Sequence, residues 1–485
     1  MTHTSPSFLR SLWPDHRTVW RWHFFAGLFC LPFVAFLSLT GSIYLFRPQI
    51  DDLIDRPYDH LPAVTAPSPS QDVSAALSAV PHSTFLAYEL PRTPQSAARV
   101  IVDHNGDAIR VYMDRTTHHI LKTVSEEQRF ERVIFKLHGQ LLLGNAGSVI
   151  MEMVASWTII LVITGLCLWW PRGQHSLAGI LYPRLSLTGR ARWRDFHAVT
   201  GVWISLFLVL FLVSGLPWSF VWGHALSSVE HTVGRLTSVQ DWEIGAVPAR
   251  DTIAGHPAPG RPSVPAGPDR PHRDMPQTGT AGMNMTEMDM PRMDMPGMDM
   301  PPAAPSAPSG PDLTGLDNVV RTAQTLSLPD PVLVTPPLEP DTQWTVRSDT
   351  QNRPLRETAQ VTADGHIVSR RNFGQKGLVD RLTGYGVAAH EGQLFGPANQ
   401  VINLLVALGL MLMSVAATIL WLRQKPAGQT GAPPRLPSQR AGLIATAILC
   451  LLGLLLPELG ASLIVLAVAT RLGRHREQTV ARKNG

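Results

Sequence analysis

Four histidines carry the strongest chemical signal in this chain, because each sits at the mouth of a long apolar run, where an imidazole is costly to bury. His23 lies in "WHFFAGLFCLPFVAFLSLTG" (22–41) and His197 in "FHAVTGVWISLFLVLFLVSG" (196–215). In both, glycine follows four residues on and again fourteen further, so His23, Gly27 and Gly41 match His197, Gly201 and Gly215. His138 and His390 head "HGQLLLG" (138–144) and "HEGQLFG" (390–396), and in each a tryptophan follows the closing glycine at the same interval, Trp169 and Trp421. Two imidazoles facing each other across a helix bundle can hold a haem iron from both sides, and four-helix bundles are common hosts. A single histidine in such a place is ordinarily an interfacial residue bonded to a carbonyl. Four at matching positions favour two b-type haems, one between His23 and His197 and one between His138 and His390. The matched glycines allow close helix approach, which also serves plain packing. Arg21, Arg192, Arg194 and Lys136 lie near the histidines as partners for propionates. Glu391 is placed to orient a ligand or carry a proton, and Glu152 to cap the outer edge of its helix.

A second pattern is rich in sulfur. Met283, Met285, Met288, Met290, Met293, Met295, Met298 and Met300 step alternately by two and three, with Asp289, Asp294 and Asp299 between them. Thioethers are soft ligands that favour Cu(I). The array reads either as a Cu(I) site or as a linker that drifted into a repeat. Its setting, the Pro-, Gly-, Ala- and Met-rich stretch 245–312, is expected to be disordered rather than packed. His118, His119, His224 and His231 read as solvated surface or as metal contacts, and no side chain is singled out as catalytic.

Positioning these groups falls to membrane helices. The chain has 485 residues, 45% hydrophobic and 16% charged. Residues 24–46, 147–170, 198–222 and 399–422 each supply the ~20 mostly apolar residues that cross a bilayer. A further apolar region, 441–472, is interrupted by "LPELG" (456–460) and is expected to be a hairpin rather than one helix with Glu458 at mid-membrane. The head (1–22), the 171–196 and 423–440 loops and the tail from 471 carry seventeen lysines and arginines against three acids, Asp15, Asp195 and Glu477. By the positive-inside rule these segments and both termini are cytoplasmic, and 48–136 and 225–388 lie outside. The first span is too long for a cleaved signal and lacks a small-residue cleavage site, so it is expected to stay as an anchor. Cys30, Cys167 and Cys450 all fall in apolar runs with no C-x-x-C spacing, which argues against covalently attached haem, zinc ribbons and iron–sulfur clusters. No G-x-G-x-x-G fingerprint follows a strand, so electrons would come from a separate cytoplasmic donor or a membrane quinol. No nucleic acid is expected as a partner.

The matched motifs define a unit of span, outer segment and span that occurs twice in one orientation, as in parallel transporter repeats related by an axis along the membrane normal. The expected fold is therefore a polytopic α-helical membrane protein. It has a four-helix core from two parallel repeats, a C-terminal hairpin and small α+β periplasmic domains. Its divisions are the head and first span (1–47), an outer domain (48–136), and the second and third spans with their loop (137–224). A second outer segment (225–388) holds the insertion and an α+β part (315–373), and a fourth span (389–425) and the hairpin (441–472) follow. In the outer segments 72–80 and 316–326 read as helices, and 96–104, 107–123, 342–348 and 356–370 as strands with turns.

"VYMDRTTHHIL" (111–121) resembles the "VYVDPYTGEVL" closing strand of PepSY domains. The motifs "RWH…LTG", "LHGQLLLG…ITGLCLWWPR", "FHAVTG…VSGLPW" and "HEGQLFG" are similar to the PepSY-associated transmembrane helix family over most of residues 17–425. That resemblance implies haem and transmembrane electron transfer, since members include inner-membrane ferric-siderophore reductases with two b-type haems and iron-regulated membrane proteins. The expected activity is reduction of a periplasmic metal ion or chelate, with electrons entering at the His23/His197 side and leaving at the His138/His390 side. Two departures bear on the substrate. "DRTTHH" replaces the usual "DPYTGE", and the Met-rich insertion is not a general family feature, which raises copper beside iron. Copper handling without redox, and a regulatory protein that binds partners through PepSY-like domains, stand as the alternatives.

Overall fold

The computed structural model describes residues 13–64, 67–171, 177–216, 219–225, 313–337, 343–425, 428, 430–434 and 442–483, with side chains as far as 473. In chain order the helices are α1 (His16–Leu45), α2 (Arg47–Asp55), α3 (Pro69–Ala79), α4 (Phe130–Gln140), α5 (Gly144–Trp169) and α6 (Gly189–Gly215). They continue with α7 (Leu316–Thr325), α8 (Leu378–His390), α9 (Pro397–Gln424), α10 (Leu443–Leu455) and α11 (Pro457–Lys483). The strands are β1 (Thr84–Glu89), β2 (Ala98–His104), β3 (Asp107–Met113), β4 (Ile120–Ser125), β5 (Val332–Thr335), β6 (Trp344–Ser348), β7 (Glu357–Val361) and β8 (Ile367–Asn372).

Helices α1, α5, α6 and α9 are long and apolar enough to cross a membrane. They close a ring in which α1 packs on α5 and α9, and α6 packs on α9 and α5. Polarity in the ring is inverted relative to a water-soluble bundle. Leu39, Trp203, Leu206, Leu210, Leu405 and Val415 are exposed on its outside, whereas Ser38, Thr40, Glu152, Ser156, Thr158, Thr164, Ser214 and Ser414 are buried. That is the arrangement lipid imposes, because polar groups in hydrocarbon must find partners inside the protein. Several hydroxyls donate to carbonyls of their own helix, as Thr158 does to Val154 at 2.7 Å and Ser414 to Leu410 at 2.9 Å.

The expected hairpin is present as two helices that bend at Leu456 and pack on each other. A Cβ on Gly453 would lie 3.2 Å from the Cα of Gly460, so both positions need glycine for the close approach. The hairpin docks on α5 through Ile160, Leu456 and Leu459, and Trp157 donates to Ser462 at 3.1 Å.

Beyond one end of the ring lies a single antiparallel sheet of eight strands in the order β4-β3-β2-β1-β5-β6-β7-β8. Two separate outer domains were the expectation. Instead, each half forms a helix followed by a four-strand meander, and the halves join edge to edge where Tyr88 pairs with Val334 and Glu89 with Leu333. Pairing β1 with β5 removes two open edges, which would otherwise present unpaired backbone groups. One face is apolar: Val100, Val102, Val111, Met113, Val334, Val346 and Trp344 pack under α3 and α7. Helix α7 meets that face with Leu316, Val319, Val320 and Ala323, an i, i+3, i+4, i+7 stripe.

Residues 107–123 form two strands rather than one. Asp114 accepts from the backbone N–H of Thr116 at 2.8 Å, turning the chain between β3 and β4. His118, standing where the PepSY pattern has glycine, takes a left-handed backbone at φ 54°. Such a conformation costs a non-glycine residue about 1–2 kcal/mol. Its Nδ1 meets the fully buried Asp72 at 3.0 Å, and Tyr88 donates to the same carboxylate at 3.1 Å. That interaction offsets the backbone cost and ties the turn to α3.

The opposite face of the sheet carries buried ion pairs. Arg99, 1% exposed at its side chain, pairs with Asp59 at 3.0 Å and with Asp55 and Glu89 at 3.4 Å. Arg110 bridges Glu89 and Glu126, and Arg129 joins Glu126 at 3.2 Å to Glu131 at 2.9 Å. Asp55 belongs to α2, which continues from α1, and Glu131 begins α4. The network therefore fixes the sheet to the two elements that lead into the ring, and α4 carries His138.

Candidate functional site

His23 is on α1 and His197 on α6, helices that do not neighbour each other in the ring. Their side chains nevertheless meet across it, with ring centroids 6.2 Å apart. Two imidazoles on opposite sides of one metal, each nitrogen ~2 Å from it, set their ring centres ~6 Å apart. The spacing fits a shared metal.

His138 and His390 form the other pair and lie within electrostatic reach of each other. Neither is on a spanning helix. His138 is on α4 and His390 ends α8, and each of these short helices turns sharply into the span that follows. The sequence reading placed both at the start of a span. Glycines 144 and 396, each at φ 59°, open α5 and α9 and make the turns possible. The pairs lie at opposite ends of the ring. His138 is braced by Thr40, and the distance from His23 to Thr40 along α1 is about 26 Å at ~1.5 Å per residue.

Each imidazole is held by a neighbouring helix. Nδ1 of His23 lies 3.0 Å from Thr164 Oγ1, Nδ1 of His138 lies 2.9 Å from Thr40 Oγ1, and Nδ1 of His390 lies 3.0 Å from Ser214 Oγ. Nδ1 of His197 faces the Met413 carbonyl at 3.4 Å. Phe211 packs against His390 at 4.9 Å between centroids. A Cβ on Gly41 would come within 3.2 Å of His138, one on Gly165 within 3.2 Å of His23, and one on Gly215 within 3.9 Å of His390. Of the matched glycines, then, Gly41 makes room for a ring and Gly215 faces one at ordinary contact distance, while Gly27 and Gly201 face Leu161 and Met413.

The turns that set His138 and His390 differ in construction. Asn399 and Asn403 both donate to the Ala389 carbonyl, at 3.1 and 2.8 Å, and Asn403 also to that of His390 at 3.0 Å. At His138 the α5 backbone instead comes directly against the Gln140 carbonyl, at Gly147. Trp169 and Trp421 play equal parts, each donating from Nε1 to a carbonyl of the loop beyond its span, Ile180 at 3.1 Å and Thr430 at 3.0 Å.

The profile of the PepSY-associated TM region matches residues 20–424. The chain belongs to that family. Family membership and the four apolar helices make this PepSY-associated protein a multi-pass protein of a lipid bilayer. No curated protein matches it.

The basic residues expected beside the histidines have other partners. Lys136 pairs with Glu127, Arg194 with Asp195 at 3.1 Å, and Arg192 donates to the Leu187 carbonyl at 2.6 Å. Arg21 donates to the Pro433 carbonyl and lies over Phe25. Arg47, paired with Asp51 at 3.3 Å, and Arg353 lie within electrostatic reach of Glu391, the residue after His390. Glu152 caps the start of the short helical segment at 220–225 and not its own helix. Buried in α5, it accepts from Ser219 Oγ at 3.0 Å and from the backbone N–H groups of Val221 and Trp222 at 2.9 Å. Met283, Met285, Met288, Met290, Met293, Met295, Met298 and Met300 lie outside the described residues, as does His231. Among the described residues no group of three His, Cys, Asp or Glu side chains is arranged to hold a metal ion.

The hydroxyls went unread in the sequence although a signal was there. Thr40–Gly41, Thr164–Gly165 and Ser214–Gly215 are three of the four hydroxyl–glycine dipeptides in the spans, the other being Thr200–Gly201.

Proposed function

We propose that this protein is a dihaem b-type cytochrome of the bacterial inner membrane, which moves electrons across the bilayer to reduce a periplasmic metal ion or chelate. The substrate is a ferric siderophore or a cupric ion. The observation that carries the reading is two pairs of imidazoles at opposite ends of one four-helix ring, each Nδ1 tied back to a neighbouring helix. Haem supplies reversible one-electron chemistry whose potential is tuned by ligands, burial and hydrogen bonds. The chain's own part is to hold His23 with His197 and His138 with His390 and to exclude water with the apolar ring. The glycines at 41 and 165 make room for the imidazoles of His138 and His23.

Orientation rests on the basic loops, which put both termini and the His23/His197 pair on the cytoplasmic side and the sheet in the periplasm. The matched motifs, the glycines at φ 59° that open the spans at 144 and 396 and the two like halves of the sheet favour two parallel repeats. Electrons come from a separate cytoplasmic donor or a quinol. A second reading, copper handling without electron transfer, is favoured by the thioether series at Met283–Met300 alone.

The deciding experiment is the absorption spectrum of the purified full-length protein with its histidine variants. Two low-spin b-type centres per chain are expected. His23→Ala or His197→Ala should remove one, and His138→Ala or His390→Ala the other. Loss of the same centre from His23→Ala and His138→Ala would overturn the pairing, and a wild-type protein without a Soret band would overturn haem altogether. Reduced protein should be reoxidised by a ferric chelate or cupric ion, and His390→Ala should block that.

A further inference from the structure

Three of the four histidines are gripped in the same way, and the grip determines which ring nitrogen is free. A hydroxyl has one hydrogen. Thr40 spends its own on the Phe36 carbonyl at 2.9 Å, Thr164 on Ile160 at 2.7 Å and Ser214 on Phe211 at 3.2 Å. With the hydroxyl hydrogens assigned in this way each oxygen accepts from the imidazole, which puts the proton of the neutral ring on Nδ1 and the lone pair on Nε2. The Met413 carbonyl can only accept, so His197 is in the same tautomer, but its bond is 3.4 Å against 2.9–3.0 Å for the other three. Where the contact names a ring nitrogen, it is Nδ1 in all four histidines.

The glycine after each hydroxyl completes the device. At Gly41 and Gly165 it removes a Cβ that would press on the ring edge at 3.2 Å, while at Gly215 a Cβ would only touch the ring, at 3.9 Å. In the spacing that matches His138 with His390 and Trp169 with Trp421, the counterpart of Thr164–Gly165 is Ala416–Ala417. The fourth position thus has neither hydroxyl nor glycine, and Ala416 is fully buried.

We propose that Thr40–Gly41, Thr164–Gly165 and Ser214–Gly215 are imidazole clamps that fix Nε2 as the donor nitrogen, and that His197, lacking one, is the ligand most readily displaced. The inference rests on the haem reading and concerns positioning residues, not the ligands themselves. A hydrogen bond from Nδ1–H makes the ring a stronger donor, and losing such a partner typically weakens metal retention by roughly 10- to 100-fold. A stronger donor favours the ferric state, so losing the clamp also raises the midpoint potential.

The test uses the full-length protein in detergent, with redox titration and haem loss to a competing apoprotein as readouts. Thr40→Val and Ser214→Ala should each raise the potential and speed haem loss at the His138/His390 centre only, and Thr164→Val at the His23/His197 centre only. Thr40→Ser and Thr164→Ser should restore both values. Carbon monoxide added to the reduced protein should bind at the His23/His197 centre in preference, more after Thr164→Val and less after Ala416→Ser. The proposal is overturned if the valine and alanine variants leave potential and haem loss unmoved, or if serine fails to rescue, which would make the role packing. Preferential carbon monoxide binding at the His138/His390 centre would overturn the ranking of His197. A wild-type protein that binds no haem overturns the underlying reading itself, so the two failures are told apart by the first spectrum.

Discussion

A single methyl group at Gly147 should dislodge His138 without touching it. An ideal Cβ at that position would lie 2.5 Å from the carbonyl carbon of Gln140 and 3.2 Å from its Cα, with the carbonyl oxygen closer still. Carbon atoms in contact prefer ~3.5–4.0 Å, so α4 and α5 must part by ~1 Å at their junction. What gives way is backbone, because no side-chain tip can rotate aside, and overpacking of this kind costs about 1–3 kcal/mol. His138 is two residues before Gln140 and holds Thr40 at 2.9 Å. A shift of ~1 Å takes that bond past the ~3.5 Å at which it ceases to be one. A binding constellation tolerates only about 0.5 Å of such error. Gly147→Ala should therefore lose the His138/His390 centre while keeping the His23/His197 centre, read as haem per protein and as the reduced-minus-oxidised spectrum. Gly409→Ala is the matched control, since its methyl meets only the side-chain tips of Ile204 and Thr200, at 3.2 and 3.4 Å. If Gly147→Ala keeps both centres with unchanged spectra, the α4–α5 junction does not position His138 as argued.

Acid should loosen the sheet. Burial alone would raise the Glu89 carboxyl, but Arg110 and Arg99 hold it down at about 2, against an ordinary 4.5. Its stabilising contribution is therefore complete above pH 4.5 and lost as pH falls toward 2, a decline in melting temperature that circular dichroism should follow and Glu89→Gln should flatten. At neutral pH the same substitution leaves two buried guanidiniums short of a counter-charge and should destabilise by about 3–5 kcal/mol. Deleting 283–300 should leave folding and the haem spectrum intact and weaken only copper-dependent activity, while a peptide of that sequence should take Cu(I) from a weak chelator. Loss of haem on deletion, or a peptide that leaves the chelator loaded, would count against that role.

The spans were legible because lipid imposes a long apolar run, and the four observed helices fall on the four expected stretches, although α6 ends at Gly215 and not at the expected 222. The histidine pairs were legible because matched spacing within like helices puts His23 opposite His197. Reading their setting failed where the deciding interaction is long-range. "KLHGQLLLG" looks like the start of a span because its leucines are apolar, yet the chain ends α4 at Gln140 and passes through left-handed Leu141 and Leu142 before α5 begins. Nothing local announces that break, which is set by the contact at Gly147 and by the ion pairs that anchor the start of α4. Strands β1 and β5 were missed for a related reason. "TFLAYE" and "VLVT" are short, and their value is in pairing across more than two hundred residues of chain, where Tyr88 meets Val334.

The same distinction explains why the ion network had no signature. Arg99, Arg110 and Glu89 alternate with the valines and alanines of β1, β2 and β3, a pattern that reads as a sheet with one wet face. In the fold that second face is covered by α2, the start of α4 and their connections, and the charges become buried pairs. Buried pairs seldom add net stability over apolar residues of like size, but they demand one geometry, because a misplaced partner leaves an uncompensated charge. Here that geometry runs from β2 through Asp55 to the end of α1 and through Glu126 and Arg129 to α4. Thr40 is near the end of α1 and His138 is on α4, so both ends of their 2.9 Å bond are referred to the same sheet. The sheet is thus a rigid mount for the nearer histidine pair, and its charged face is the part that does the aligning.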